Sequence, residues 1–218
     1  NMSEEELKSL NQKYRRGIVS IDSYLQNQPD FINISTDDFG GGYQMGQYLI
    51  SQGHTKIAML ADNDVTVDHH RWMGLMQAMT EAGLSLSEQD HFIFSSSEPV
   101  RELQMEQFLP KLREYTALFV ASDFYALEVS SFLQSKGIRV PEDISIAGFD
   151  DLIYARLARP KLTTMSQNIA KKARMAVEAL LYLQDARKNK KPIDISEERW
   201  RLPVRLVERE SVKKLDNI

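Results

Sequence analysis

The sequence contains no cysteine, and it has only two tryptophans and seven prolines among its 218 residues. Without a thiol the chain can form no disulfide, no cysteine nucleophile and no sulfur-ligated zinc site. The longest apolar runs are short pieces such as ALFVA, well under the roughly 18 residues that a membrane-spanning helix needs, so we expect no membrane partner. The opening NMSEEELKSL is acidic and polar, unlike a secretory signal, and with the absence of cysteine it favours a cytoplasmic location.

The residues that are present suit a globular protein. Hydrophobic residues make up 42% of the chain, and 27 basic against 31 acidic side chains give a formal charge of −4. This mixture supplies enough Leu, Ile, Val and Phe to build a core, which excludes intrinsic disorder. The slightly acidic balance gives the chain no electrostatic basis for holding nucleic acid directly.

Short β-branched or aromatic runs alternate with longer helical patterns along the chain. The predicted strands are Gly17–Ile21, Phe31–Ser35, Lys56–Ala61, His91–Ser95, Ala117–Ala121 and Ile144–Phe149. The predicted helices are Ser3–Tyr14, Gly42–Gln52, His70–Ala82, Val100–Glu114 and Phe124–Lys136. Apolar strands alternating with helices predict an α/β fold with parallel sheets that are flanked by helices on both faces.

The pattern changes after Phe149. A short helix at Asp151–Ala158 and an extended piece at Lys161–Met165 lead into the longest helical pattern, Gln167–Lys188, and the last strand is predicted near Val204–Val207. An apolar stripe predicts the buried face of the long helix. Its members are Ile169, Ala173, Ala176, Val177, Leu180 and Leu181.

Three aspartates, Asp37, Asp123 and Asp150, share one context. Each follows a predicted strand within two residues and precedes a predicted helix. In a parallel α/β sheet this position is the carboxyl edge, where ligands bind. Carboxylates there could accept hydrogen bonds from a polyhydroxylated ligand, although aspartate is also a favoured helix N-cap without any other role.

Arg71 is placed at the start of a predicted helix, where a cation opposes the helix dipole. This position indicates a purpose other than helix stability. A guanidinium that faces a cleft beside aspartates would bind hydroxyls or a carboxylate. The alternative is an ordinary salt bridge on the surface.

Asp37 and Asp38 lead into the run GGGYQMG, which resembles a dinucleotide-binding fingerprint whose third glycine comes one residue late. The alternative is that the glycines let a helix start close to a neighbouring strand. None of the four histidines is spaced with a carboxylate as in a metal site, and neither a nucleophile motif nor a phosphate-binding loop of NTPase type is present. We therefore predict no metal site, no cofactor and no enzyme activity.

Five segments occur in an order and spacing that resemble a known family. They are GHTKIAML (Gly53–Leu60), Arg71-x-x-Gly74, VPEDISIAGFDD (Val140–Asp151), RPKLTTMSQN (Arg159–Asn168) and LPVRLVERESV (Leu202–Val212). The ordered set is similar to the effector-binding region of LacI/GalR-type bacterial transcription regulators. The resemblance covers the chain from about Gly17 to Val212.

The resemblance implies a type I fold like that of periplasmic binding proteins, in which two α/β lobes are joined by crossover strands and hold the ligand in the cleft. The first lobe would comprise residues 1–53 and 165–190, and the second would comprise residues 54–164 and 191–218. The family's helix-turn-helix, its hinge and the opening βα units of the first lobe have no counterpart here. The chain is therefore expected to be a fragment of a repressor with an incomplete first lobe.

The resemblance also implies site residues and partners. The family's effector contacts match Asp37, with Asp38 as the alternative because the spacing is ambiguous, together with Arg71, Asp123 and Asp150, and Gln167 lies near a crossover. Where many members have a stacking aromatic ring, this chain has a run of three serines at 95–97. The implied partners are a sugar or related polar effector, a second copy of the chain in a homodimer, and operator DNA only through the absent helix-turn-helix.

Two other functions are open at this point. A stand-alone sugar-binding or solute-binding protein of a transport system would have the same fold and cleft but no DNA partner. A nucleotide-dependent oxidoreductase would depend on the imperfect glycine run alone.

Overall fold

The computed structural model describes residues 4–14, 17–22, 31–61 and 66–215. The predicted start of the first helix, Ser3, lies outside these residues. The helices are α1 (Glu4–Tyr14), α2 (Asp38–Ser51), α3 (Thr66–Glu81), α4 (Glu98–Leu112), α5 (Asp123–Ser135), α6 (Ile153–Leu157), α7 (Ile169–Asn189) and α8 (Glu197–Trp200). The strands are β1 (Ile18–Ile21), β2 (Phe31–Thr36), β3 (Ile57–Ala61), β4 (His91–Ile93), β5 (Ala117–Val120), β6 (Ser145–Asp150), β7 (Thr163–Ser166), β8 (Arg201–Leu202) and β9 (Arg205–Val207).

The described chain forms two compact units. The first contains the described residues up to Asp37 together with Asn168–Pro203, and the second contains Asp38–Gln167 and the described residues from Val204 onward. These bounds differ from the lobes that the sequence predicted. Helix α2 packs along α3 and so lies in the second unit, whereas Arg201 and Leu202 pair with β2 and so lie in the first.

The first unit is built on a parallel sheet with the strand order β1-β2-β8. Ile32 and Ile34 of β2 are completely buried, and they belong to the same apolar core as Leu183 of α7 and Trp200 of α8. Burying an isoleucine or leucine side chain contributes roughly 1.5–3 kcal/mol. This core therefore holds α7 against the small sheet.

The second unit is built on a six-stranded sheet with the order β4-β3-β5-β6-β7-β9. All neighbouring strands are parallel except the final pair, β7 with β9. Successive residues of β3 enter different cores, because Met59 packs on one face of the sheet and Leu60 on the other. Helices cover both faces, and the predicted α/β class with parallel sheets is confirmed. No described helix combines the length and the apolar character that crossing a bilayer requires.

Close packing of α2 on α3 explains the glycine run. A Cβ on Gly42 would lie 2.0 Å from the backbone oxygen of Arg71, and a Cβ on Gly74 would lie 2.1 Å from the backbone oxygen of Phe39. Only glycine permits two helix backbones to approach so closely. The prediction that this helix starts at Gly42 was wrong, because α2 begins at Asp38 and the glycines form its first turns.

The predicted buried face of the long helix was also wrong. The buried residues of α7 are Lys172, Ala179, Leu183 and Ala186, whereas Ile169, Val177 and Leu181 are more than half exposed, at 54%, 57% and 60%. Hydrophobic periodicity shows which residues share one face of a helix, but it does not show which face packs against the rest of the protein. Here a buried cation, Lys172, joins the inner face because its ammonium donates to both carboxylate oxygens of Asp22 at 2.9 and 2.8 Å.

Candidate functional site

The candidate site lies at the carboxyl edge of the second unit's sheet, where β5, β6 and β7 end side by side. Strand β6 ends at Asp150, which is paired in register with Ser166 of β7. The next residue after β7 is Gln167, and Ala121 follows β5. Because these strands are parallel, their carboxyl ends share one edge, and polar residues from β6 and β7 meet there.

The Arg71 side chain makes contacts with several groups at this edge. Its Nε donates to Asp38 Oδ1 at 2.8 Å, and a second nitrogen lies 2.7 Å from the same oxygen. Nη1 donates to the Ala121 carbonyl oxygen at 2.5 Å and lies 3.5 Å from Asp68 Oδ1. The guanidinium carbon lies 3.7 Å from the centre of the Phe149 ring, close enough for a cation–π contact.

The sequence left two alternatives for Arg71, a guanidinium that faces a cleft and an ordinary salt bridge on the surface, and its burial bears on the second. Helix α3 begins at Thr66, so Arg71 lies in its second turn rather than at its N-terminus. The residue is 6% exposed, which excludes a salt bridge on the surface. Sequence reasoning did not identify Asp68, although the spacing Asp68-x-x-Arg71 is a recognisable i,i+3 pair on one helix face.

Asp150 and Gln167 form a second polar group. The Gln167 side-chain amide donates to Asp150 Oδ1. Asp150 is partly exposed, and Gln167 is buried. A carboxylate and an amide held together in this way can accept and donate hydrogen bonds to neighbouring hydroxyls of one ligand. Both residues were predicted, and the structure brings them together.

The backbone at Asp150 is unusual. Its φ is 126°, and the φ of Asp151 is 58°, so two consecutive residues other than glycine lie at positive φ. Such residues are costly, and they concentrate at binding sites where the surroundings hold them. Arg209 supports the turn by placing a guanidinium nitrogen 2.5 Å from Asp151 Oδ1.

Asp123 lies at the same edge but inside the protein. It is completely buried, and its two oxygens accept hydrogen bonds from Thr164 Oγ1 at 2.5 Å and from the Leu152 backbone N–H at 2.8 Å. Burial raises its pKa from 3.8 to about 7, and the charges of Asp150 and Asp151 add to the rise while the two hydrogen bonds oppose it. Direct contact between Asp123 and an effector stays a prediction, and in the structure each oxygen of this carboxylate accepts a hydrogen bond from within the unit.

Asp37 lies in the first unit, directly after β2. Its backbone N–H donates to the Leu202 carbonyl oxygen at 2.9 Å, which extends the pairing of β2 with β8. The sequence left open whether Asp37 or Asp38 matches the effector contact of the family. The structure pairs Asp38 with Arg71 in the second unit. Asp37 keeps its predicted place at the carboxyl edge of a strand.

The groups at the carboxyl edge of this sheet are suited to hydrogen bonding and to charge interactions. The glycine run packs against α3 inside the second unit, so it does not form the phosphate-binding loop of a dinucleotide fold. Within the described ranges, no group of three or more histidines, aspartates or glutamates is arranged to hold a metal ion. Two polar groups lie along this edge, Arg71 with Asp38 and Asp68, and Asp150 with Gln167, and such groups suit the recognition of a polar small molecule.

A helix-covered parallel sheet with polar groups at its carboxyl edge is an arrangement found in many α/β domains that bind small molecules. The family described as periplasmic binding protein-like domain matches residues 47–212, and the chain belongs to this family.

Individual relatives narrow the class. The chain is 34% identical over 178 residues to the HTH-type transcriptional regulator GalR of Escherichia coli K12, covering 80% of this chain and 51% of GalR. It is 37% identical over 184 residues to the HTH-type transcriptional repressor PurR of Pasteurella multocida, covering 83% of this chain and 52% of that repressor. The chain thus spans about half the length of the curated relatives that it matches.

A solved structure extends the likeness to nearly the whole chain. It is a LacI family transcriptional regulator from Enterococcus faecium with bound ribose, and it shares 26% identity and a TM-score of 0.80 over 98% of this chain and 77% of that one. The resemblance to the effector-binding region of LacI/GalR-type regulators, predicted from five sequence segments, is confirmed.

Proposed function

We propose that this chain is the effector-binding region of a LacI/GalR-type transcription regulator, and that a hydroxyl-rich small molecule binds at the carboxyl edge of the second unit's sheet. The observation that carries the proposal is that Arg71 donates to the Ala121 carbonyl oxygen just after β5, while Asp150 and Gln167 are hydrogen-bonded to each other at the ends of the neighbouring strands β6 and β7. The matched relatives are named as regulators, which favours this function over that of a stand-alone solute-binding protein or an enzyme.

Each residue has a proposed role. Asp150 accepts hydrogen bonds from ligand hydroxyls, and Gln167, which already donates to Asp150, fixes the direction of that carboxylate. Arg71 is held by Asp38 and Asp68, and it provides a rigid positive charge beside the site. Asp37, in the first unit, stays a prediction that depends on the resemblance.

The effector class follows from the charges at the edge. Asp38, Asp68, Asp150 and Asp151 outnumber the nearby cations Arg71, Arg156 and Arg209, and an excess of carboxylates disfavours anionic ligands. The serine run at 95–97 has no aromatic ring, so neither a sugar nor a purine is expected to stack there. A neutral sugar or polyol therefore suits the site best, and the relative from Enterococcus faecium holds ribose.

The proposed mechanism is a population shift. A ligand that binds one conformation of the domain more tightly moves the equilibrium toward that conformation, by no more than its differential affinity. In a dimeric regulator this shift would alter the spacing of the DNA-reading helices. Base recognition is assigned to a helix-turn-helix outside this sequence, so this chain alone should show no salt-dependent nanomolar binding to a specific duplex.

A second copy of the chain is the proposed partner. On the second unit, α5 lies beside α6, and four large apolar side chains there are more than half exposed. They are Phe124, Ile153, Tyr154 and Leu157. Exposed apolar patches on soluble proteins commonly mark protein interfaces, which supports a homodimer that buries this patch.

Calorimetric titration tests the proposed ligand class. Neutral pentoses and hexoses, sugar phosphates, nucleosides and amino acids are titrated into the chain, and we expect heat of binding from a neutral sugar. Asp150→Asn should weaken that binding by at least tenfold, about 1.4 kcal/mol, because a charge-assisted hydrogen bond is lost. Asp143→Asn, a matched change at an exposed position, should leave the affinity unchanged. Binding confined to anionic compounds, or equal affinity in Asp150→Asn, would contradict the proposal.

A further inference from the structure

The turn that ends β6 needs support from its surroundings. Asp150 and Asp151 both lie at positive φ, at 126° and 58°, and such residues persist only where neighbouring groups fix them. Gln167 and Arg209 hold the two aspartate side chains. The backbone that leaves the turn, at Leu152, is held by a different group.

That group is the Asp123 carboxylate. One oxygen accepts the Leu152 backbone N–H at 2.8 Å, and the other accepts the Thr164 hydroxyl at 2.5 Å. Thr164 lies in β7, beside Gly148 of β6. The carboxylate therefore ties the end of the turn to the neighbouring strand.

The sequence of β6 leaves space for this carboxylate. A Cβ on Gly148 would lie 2.4 Å from Asp123 Oδ1 and 2.9 Å from a methyl carbon of Leu162. Any other residue at 148 would displace the carboxylate from its position between the strands. The carboxylate of Asp123 at the start of α5 and the glycine at position 148 of β6 therefore fit each other.

We propose that Asp123 is a positioning residue of the effector site, one that holds the turn at Asp150 and Asp151 so that Asp150 faces Gln167, without touching the effector itself. This inference rests on the proposed function, because Asp150 is the ligand contact proposed there. The difference in burial supports it, since Asp123 is completely buried and Asp150 is partly exposed.

The charges around Asp123 lead to a measurable pH dependence of this contact. Asp150 and Asp151 face it and raise its pKa, which burial places at about 7. Arg209 lies 2.5 Å from Asp151, and Arg156 lies 3.8 Å from the same oxygen. The anchor of the turn should therefore change protonation near neutral pH, and the Leu152 amide, which donates to it, should report that change.

Amide NMR spectra of the whole chain between pH 5.5 and 8.5 provide the test. In the unsubstituted chain, the Leu152 amide should shift with a midpoint near 7. Asp123→Asn, which keeps an oxygen acceptor, should abolish that shift and leave hydrogen exchange at Leu152 within about threefold of the original rate. Asp123→Ala should raise the exchange rate at Leu152 by at least tenfold. Asp143→Asn should change neither quantity.

Thr164→Val provides a second variant should Asp123→Ala fail to fold. It removes the hydroxyl donor that lowers the pKa of Asp123, so the Leu152 midpoint should move upward by a measurable amount. Unchanged hydrogen exchange at Leu152 in Asp123→Ala or, should that variant fail to fold, an unchanged Leu152 midpoint in Thr164→Val, would overturn the proposal.

Calorimetry with D-ribose as the probe separates this proposal from the proposed function. Asp123→Ala should bind D-ribose at least tenfold more weakly than the unsubstituted chain, and Asp123→Asn should bind within about threefold of it. Loss of protection at Leu152 with unchanged D-ribose affinity would overturn the positioning role alone. Failure of the unsubstituted chain to bind any neutral sugar would instead contradict the proposed function, and the Leu152 results would still decide whether Asp123 holds the turn.

Discussion

Replacing Arg71 by methionine should destabilise the second unit far more than the loss of an ordinary salt bridge would. Asp38 and Asp68 are 6% and 4% exposed, and in the variant both carboxylates would stay buried without their cation. Breaking a buried ion pair by removing one partner costs roughly 3–5 kcal/mol. Loss of the contact with the Phe149 ring, 3.7 Å away, adds to the cost, so we expect a loss of about 4 kcal/mol.

Urea denaturation followed by tryptophan fluorescence is the appropriate assay. The chain has two tryptophans, and Trp200 belongs to the first unit whereas Trp72 is buried in the core of the second. A Trp200→Phe background therefore makes the emission report on the second unit alone. Adding Asp38→Asn to Arg71→Met removes one uncompensated charge and should recover about 1–2 kcal/mol.

Arg139→Met is the matched control. Arg139 pairs with Asp143, but its side chain is 69% exposed, so its loss should leave the unfolding curve unchanged. The reasoning would be refuted if Arg71→Met behaved like Arg139→Met, or if the second substitution at Asp38 gave no recovery.

Three further predictions concern other parts of the fold. Burial lowers the pKa of His54 below 6.5, so the unfolded chain binds a proton at this histidine more readily than the folded chain does. The free energy of unfolding should therefore fall as the pH drops through 6.5. Urea midpoints measured in an Asp123→Asn background test this prediction, and a midpoint that does not change with pH would contradict it. That background is needed because the raised pKa of Asp123 acts in the opposite direction, with stability that is lost as pH rises through about 7. Gly42→Ala should cost roughly 1–3 kcal/mol in the same assay, because its Cβ would meet the Arg71 backbone oxygen at 2.0 Å, and an unaltered urea midpoint would show that the α2–α3 contact is loose. Leu157→Glu should shift the chain from dimer to monomer in sedimentation equilibrium, and an unaltered mass would exclude the patch on α5 and α6 as the interface.

The strands of this protein are predictable because their sequences are nearly continuous apolar runs, which suit a sheet covered on both faces. Ile57–Ala61 and Ala117–Val120 lie within the predicted strands. Helix starts were less accurate. Helix α2 begins at Asp38 and α3 at Thr66, four residues before the predicted starts, because nearby polar residues offer several equivalent positions for a helix to begin.

The candidate site was predictable in part. A position after a strand places Asp150 at the carboxyl edge. Arg71 was identified from its place at the start of a predicted helix, and the resemblance added Gln167. The sequence could not predict which of the candidate side chains would be buried. The same rule selected Asp123, yet packing beside Gly148 and Thr164 encloses it completely. Local spacing cannot distinguish a partly exposed aspartate such as Asp150 from a completely buried one such as Asp123.

Localising a bound sugar by NMR tests the central claim most directly. With D-ribose or another sugar that binds in calorimetry, we expect the largest amide shifts around Ala121, Asp150 and Gln167, at the carboxyl edge of the second unit's sheet. The first unit has a groove of about 430 Å³ lined by residues that include Lys171 and Trp200. Shifts confined to that groove, with the amides around Asp150 unmoved, would contradict the account.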